Sequence, residues 1–387
     1  MPVSFVLLRI KGVGKTKIAI GMDLHKKTAV CYAVYAGEGE PNEKKKEFLD
    51  DFNRNYRTQG SEPEDMAQIA AALRGHDAHI LIENSTKTYE TYWVLTNLGC
   101  RVTVAQAQDL FRITKSVKKT DKNDSVELAG YMRRRLAGED EFAVCTMPSK
   151  EWMIRREICR VVFNEKLHLA DLKRRTRAHM LLHGIKLSKE YSDIFSKKAM
   201  EELRDTKDPC LMIFVGEARA IKSRTDEETR LIEQVFDCLE MYHLIESIPG
   251  FGRVSAAYLA SLIMDVGRFR TSDEFTAYFG IVPKMRESAG SSPRCATTHR
   301  GDEDARRLLC QAAFVHTNTV ENSVVTRMYN RLRGRGMSHK EAQVACARKL
   351  LTVVWSVLKS KRPYTDDDGL LARAKEMEEA MEEGLGK

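Results

Sequence analysis

Four carboxylates stand at positions where a folded chain does chemistry. Asp23 closes the apolar run IAIGMD, Glu83 closes HILIE, and Asp121 and Asp124 open the stretch DKNDSVELAGYM. The last two are three residues apart and so share a helix face. Strand ends and helix starts converge at one edge of an α/β sheet, so acids far apart in sequence are brought within reach of one another. Clustered carboxylates repel and raise each other's pKa unless cations sit between them. Two Mg²⁺ ions about 3.5–4 Å apart resolve that repulsion and make a phosphoryl-transfer site. Taken singly, Asp121 and Asp124 read as helix caps and Glu83 as a surface acid; the four together point to metal-assisted chemistry on phosphate.

The surrounding charge suits a polyanion. Between Arg112 and Arg135 eight Lys/Arg, Lys115, Lys118 and Lys119 among them, outnumber three acids. A second basic stripe, over residues 155–177, includes Arg174, Arg175 and Arg177. A charge run is by default a solvated face; beside an acid cluster it also serves a nucleic-acid backbone, whose counterions it displaces. IPGFGRVSAA has the form of a helix-hairpin-helix turn, in which Gly250 and Gly252 open backbone N–H groups to a phosphate at a helix start; the plain alternative is an interhelical turn. Downstream, RESAGSSPRCATTHRGDEDARRLL places Ser288, Ser291 and Ser292 in a polar loop ahead of Arg300, Arg306 and Arg307. A loop serine is a poor nucleophile unless a base or metal takes its proton, while arginines beside it can hold a phosphate.

The elements that must position these groups follow from periodicity. A hairpin from Ile18, with its turn at LHKK, is followed by a polar stretch over 41–65 with room for a short strand and a loop. A helix over 66–73, a strand at HILIEN, a helix over 89–98, a strand at CRVTVA and a helix over 125–136 come next. The spacing therefore predicts an α/β domain over residues 1–145. Residues 146–244, nearly free of Gly and Pro, read as long helices in a coiled-coil-like hairpin. A mainly helical domain over 245–365 and an acidic tail over 366–387 complete the chain, with no internal repeat. A length of 387 residues, 43% hydrophobic, is enough for such cores, and the formal charge of +8 permits a nucleic-acid partner. The nine cysteines are evenly spread with no Cys-x-x-Cys pair, and read as reduced core residues rather than a zinc site. The longest apolar runs fall well short of the roughly 18 residues a span requires, and MPVSFVLLRIKGVGK has neither a charged lead nor a cleavage site. A soluble, intracellular protein is expected.

The order of motifs is specific. GMDLHK, IEN before a Tyr-rich helix, TDKNDSVELA, RTRAHMLLHGI, IPGFGRVSAAYLASLI, FTAYFGIVP, the serine loop, HRGDEDARRLL and ARKLLTVVWSVLK together resemble the DEDD-type insertion-sequence transposases. That family includes the Piv pilin-gene invertase and is described as bridge-RNA-guided serine recombinases. The resemblance implies an RNase H-like (RuvC-like) N-terminal domain, a coiled-coil segment and a C-terminal transposase domain. It places the family's acids on Asp23, Glu83, Asp121 and Asp124, which would hold two Mg²⁺, and its nucleophile on Ser288, eight residues after the glycine of Gly280-Ile281-Val282-Pro283. The family's usual Ser-Gly-Gly-Lys is replaced by Ser288-Ala289-Gly290-Ser291-Ser292, so Ser291 and Ser292 stay in contention. Arg300, Gly301 and Asp302 fit an Arg-Gly-Asn/Asp segment.

The activity implied is excision and insertion of a mobile element through a covalent phosphoserine, with sequence read by pairing of a structured guide RNA to target and donor DNA. Dimers joining into tetramers, in a prokaryotic cytoplasm at the nucleoid and with no membrane, are implied as well. Two other readings stand beside it: a metal-dependent junction-resolving or hydrolytic nuclease in which water attacks, and a non-catalytic nucleic-acid-binding protein.

Overall fold

The computed structural model describes residues 17–106, 121–139, 142–281 and 301–365. They form two compact units: the described residues of Met1–Met147 with Ala277–Gly280 and His299–Asp302, and the described residues of Pro148–Thr276, Ile281–Thr298 and Glu303–Lys387. The expected acidic tail lies outside the described residues.

The first unit is built on a five-stranded mixed sheet. Strands β1 (Lys17–Leu24) and β2 (Thr28–Tyr35) form the expected hairpin, closed at its turn by the His25 N–H donating to the Thr28 carbonyl at 2.8 Å. β3 (Thr58–Gly60) extends it antiparallel on one side, while β4 (Asp77–Glu83) and β5 (Arg101–Ala105) add in parallel on the other, giving the order β3-β2-β1-β4-β5. Both sheet faces are covered, which is why β1 and β4 read as near-continuous apolar runs. One face, carrying Ile18, Ile20, Met22, Ile80 and Ile82, packs on Phe52, Met66, Ile69 and Leu95. These come from α1 (Glu43–Asn55), α2 (Pro63–Ala72) and α3 (Thr88–Asn97). The opposite face, with Ala19, Leu81 and Ala105, packs on Leu128, Tyr131 and Met132 of α4 (Asp121–Ala137).

Helix α1 corrects the expectation of a loop over much of 41–65. Only Phe48, Leu49 and Phe52 carry its apolar stripe, too few to show a period, yet Asn42 caps it by accepting from the Lys45 N–H at 3.1 Å. Phe52 alone is fully buried.

The second unit is helical. Its long helices are α5 (Lys150–Leu182) and α7 (Pro209–Phe236), which pack against each other. The intervening chain is no simple turn: it holds α6 (Lys197–Asp205) and buries Ile194, Phe195 and Leu203 against Leu172, Leu211 and Val215. Next come α8 (Glu240–Glu246), α9 (Arg253–Ile263) and the short α10 (Ser272–Tyr278), whose end joins the first unit; then α11 (Glu303–Thr319), α12 (Val324–Gly334) and α13 (His339–Ser360). Helix α9 is buried nearly all round, as its composition of Ala, Leu, Ile and Tyr requires.

The cysteines depart from a uniform core reading. Cys31, Cys145, Cys159 and Cys346 are buried, and burial pushes the Cys31 and Cys159 thiols up to about 12. Cys210 and Cys238 are exposed. No described helix is long and apolar enough to cross a membrane.

Candidate active site

The register of the sheet brings two of the acids together. Met22 of β1 pairs with Ile82 of β4 in a parallel ladder, so Asp23 and Glu83, one residue further on, end neighbouring strands side by side. Neighbouring strands lie about 4.8 Å apart, and residues in register point to the same face. That face is the one of Ala19 and Leu81, covered by α4.

The direction of α4 follows from its contacts. Gly21 faces its second turn: a Cβ at Gly21 would fall on the Ser125 carbonyl oxygen and the Ala129 nitrogen. Further along, Leu128, Tyr131 and Met132 pack beside Ala19 and Leu81. The helix therefore runs back along β1, and its first turn, with Asp121 and Asp124, is directed toward the strand ends that carry Asp23 and Glu83. Asp124 is half-buried, as are Asp23 and Glu83. The first turn of a helix also favours negative charge.

The strand ends are braced. The Thr88 hydroxyl donates to the Glu83 carbonyl at 2.8 Å and accepts from the Ser85 N–H at 2.9 Å, fixing the chain as it leaves β4. His25 Nε2 lies 3.3 Å from Asp23 Oδ2. Sequence reasoning passed over both His25 and Gly21. A glycine inside an otherwise apolar strand is the available signal for a close backbone approach. Carboxylate is the donor type that a hard cation such as Mg²⁺ takes, so the chemistry of these residues suits that ion.

The basic residues separate into two kinds. Arg174, Arg175 and Arg177 are exposed on α5, although tethered: Arg174 to Asp171 at 2.9 Å, Arg175 over the Phe214 ring at 5.5 Å, and Arg177 to the Ser192 carbonyl at 3.3 Å. The start of the same stripe turns inward, a correction to its reading as one phosphate-tracking face. Arg155 is buried against Trp152 and pairs with Glu151 at 2.8 Å, while Arg156 donates to the Ser261 carbonyl at 3.1 Å. Arg306 is half-buried on α11. Lys115, Lys118, Lys119, Ser288, Ser291, Ser292 and Arg300 lie outside the described residues.

Two helices joined by a turn at Gly250, common to the helix-hairpin-helix reading and its plain alternative, are present as α8 and α9. Gly250 has φ 106° and faces the Ala312 carbonyl oxygen, so its lack of a side chain serves a close approach to α11. Gly252, by contrast, is exposed and caps α9. His316 holds the turn from beneath, fully buried, with Nδ1 2.7 Å from the Pro249 carbonyl and Nε2 2.8 Å from Ser323 Oγ. A cavity of about 370 Å³ opens beside the turn, lined by Lys166, Gly252, Arg253, Ser255 and Leu308 among others.

Comparison with known proteins bears on this second region. Over residues 242–329 the chain matches the Transposase IS116/IS110/IS902 family. That stretch runs from α8 through the Gly250 turn to α12. The Streptomyces clavuligerus protein described as "Insertion element IS116 uncharacterized 44.8 kDa protein" is 25% identical over 45% of this chain and 45% of its own length. The Yersinia enterocolitica transposase for insertion sequence element IS1328 is 34% identical over 29% of this chain and 34% of its own length. The chain thus spans a third to just under half of the length of these two relatives. A pilin gene-inverting protein of Moraxella bovis is 23% identical over a longer stretch, 74% of this chain and 81% of that protein.

Proposed function

We propose that this protein is a DNA recombinase of the insertion-sequence transposase kind, which cuts and rejoins DNA strands at the carboxylate edge of its sheet. The observation that carries the reading is the register that sets Asp23 beside Glu83 with the first turn of α4 directed at them. The strand order β3-β2-β1-β4-β5 agrees with an RNase H-like domain, and the match of residues 242–329 to a transposase family supports DNA as the substrate. In this reading Asp23, Glu83, Asp121 and Asp124 hold two Mg²⁺ ions. Bound there, the metal supplies charge neutralisation and polarisation of phosphodiester oxygens.

The chain's own residues do the rest. The Ser288 hydroxyl attacks phosphorus; the Oγ–P bond forms as the P–O3′ bond breaks, and the serine proton ends on the departing 3′ oxygen. The freed 3′-hydroxyl of one strand then attacks the phosphoserine of another, restoring the serine and joining the strands. Arg174, Arg175, Arg177, Arg300 and Arg306 contact backbones of DNA or of a structured guide RNA, which reads target and donor sequence by pairing. A homodimer assembling to a homotetramer supplies the paired sites that two-strand exchange demands.

The experiment is covalent trapping. Purified protein with co-expressed RNA, labelled target and donor DNA and Mg²⁺ is compared with Ser288→Ala and Asp23→Ala. A protein–DNA adduct lost in both variants is the expected result. Cleavage without adduct that survives Ser288→Ala would replace the serine mechanism with a hydrolytic metal nuclease. Binding without cleavage in the unaltered protein would leave only a nucleic-acid-binding role.

A further inference from the structure

At the end of the helical pair where α5 stops and α7 begins, four potential ligands gather from two short segments. His179 lies in the last turn of α5 and His183 caps that helix, giving a His-x-x-x-His spacing that sets both rings on one side. Their ring centroids are 4.3 Å apart. Across from them, Asp208 is the N-cap of α7 and Cys210 is its second residue. The ligand atoms of His179, Asp208 and Cys210 all lie within 4.8 Å of one another, with His179 Nε2 3.1 Å from Asp208 Oδ1. Ligand atoms at about 2.0–2.3 Å from a tetrahedral zinc are themselves between 3 and 4 Å apart, so the cluster needs only small side-chain rotations to close on an ion.

A cap and an ion pair account for part of this. Asp208 Oδ1 accepts from the Leu211 N–H at 2.9 Å, as an N-cap does. Capping gives no reason for a thiol two residues later within reach of the same imidazole, nor for the second histidine one turn on. Phe214, edge-on to His179 at 6.0 Å, walls one side of the cluster with apolar surface.

We propose that His179, Asp208 and Cys210 bind a borderline divalent cation of the Zn²⁺ class, with His183 or a water completing the tetrahedron. One nitrogen, one oxygen and one sulfur form a donor set that such an ion accepts and that Mg²⁺ does not. On binding, the Cys210 thiol gives its proton to solvent. His179 coordinates through the Nε2 lone pair of the neutral tautomer that carries its single proton on Nδ1. The site lies wholly within the helical unit, whereas the carboxylates of the sheet belong to the other. Its effect is structural: it closes the chain from 183 to 208, including α6, onto the ends of α5 and α7.

The test uses the full-length protein, stripped of metal with a chelator and titrated with Co²⁺, then with Zn²⁺. Co²⁺ is expected to give a near-ultraviolet thiolate charge-transfer band with tetrahedral visible bands, displaced by equimolar Zn²⁺. Asp23→Ala leaves the band intact, since the sheet carboxylates offer no sulfur, whereas Cys210→Ser removes it. Asp208→Asn keeps a capping side chain yet weakens Zn²⁺ at least about 10-fold, a loss that even outer-sphere partners of a metal reach. Alkylation adds a reading independent of colour: Zn²⁺ slows modification of Cys210 and leaves exposed Cys238 unaffected. Equal alkylation of both cysteines with and without Zn²⁺, or an unchanged Co²⁺ spectrum in Cys210→Ser, overturns the proposal and leaves a capped ion pair.

Discussion

The carboxylate edge of the sheet and the arginine stripe of α5 carry opposite charge and are held together in opposite ways. At the sheet edge the backbone does the positioning: strand register sets Asp23 beside Glu83, and Gly21 admits α4 closely enough to bring Asp124 toward them. Along α5 the backbone sets only a spacing, and the side chains choose their own partners. Arg155 and Arg156 go inward to aromatic rings and a carbonyl, while Arg174 and Arg177 stay at the surface. At the sheet edge acids are gathered by backbone geometry, whereas arginines on a helix find much of their counter-charge among neighbouring side chains.

The largest effect that separates the two regions is on catalysis. Asp23→Ala should lower strand cleavage by at least about 10³-fold, the scale of losing a group that acts only in the reacting complex, with DNA binding retained in a gel-shift assay. Equal loss of binding and cleavage would instead make Asp23 a structural residue. Next is Gly21→Ala, which forces a Cβ onto the Ser125 carbonyl. It should cost about 1–3 kcal/mol in urea unfolding and also slow cleavage, because the same shift displaces Asp124.

The glycines of the C-terminal turn sharpen the contrast within one motif. Gly250→Ala meets both a positive φ and the Ala312 carbonyl, so a loss of about 1–3 kcal/mol is expected. Gly252→Ala meets open space and should cost under about 1 kcal/mol, as a weaker cap. At the surface of α5, Arg177→Ala should leave stability within about 0.5 kcal/mol and reduce the salt dependence of DNA binding by about one ion; an unaltered salt slope would remove α5 from the nucleic-acid path. The smallest effect concerns acid. Burial would raise the Asp193 carboxyl, but Lys173, Lys222 and the Phe195 N–H outweigh it and hold it at about 2. Its contribution is therefore complete above the ordinary carboxylate value near 3.9 and fades as pH falls toward 2. Asp193→Asn should flatten that part of the stability profile measured by circular dichroism.

Much of this was legible in the residues. The hairpin, β4, β5 and α4 announce themselves by apolar runs ending in polar residues, and the acids could be grouped because they fall at those ends. Register was not legible, since it depends on which strand lies beside β1, a long-range choice that no local pattern encodes. Helix α1 escaped because three apolar residues among charges give no period. The inward turn of Arg155 and Arg156 escaped because a charge count ignores the stem, which packs on apolar surface as readily as a leucine does. Gly250 and Gly252 looked alike in sequence; a positive φ and the nearby Ala312 carbonyl of α11 set Gly250 apart. Cys210 and the two histidines at the end of α5 were invisible as a group because 26 residues of chain separate His183 from Cys210 and the apposition of α5 with α7 closes the gap.

Helix α9 has one more implication. From Val254 to Ile263 all but one of its residues are buried, whereas a helix that reads bases must turn several side chains outward into a groove. α9 thus has no alphabet to offer: it can present its capped start to a phosphate, but it cannot tell one base pair from another. In the proposed recombinase, substitutions along it would change how much protein folds, not which sites are chosen. Whatever selects a DNA sequence would then lie in other parts of the chain, or in a partner that carries the letters itself.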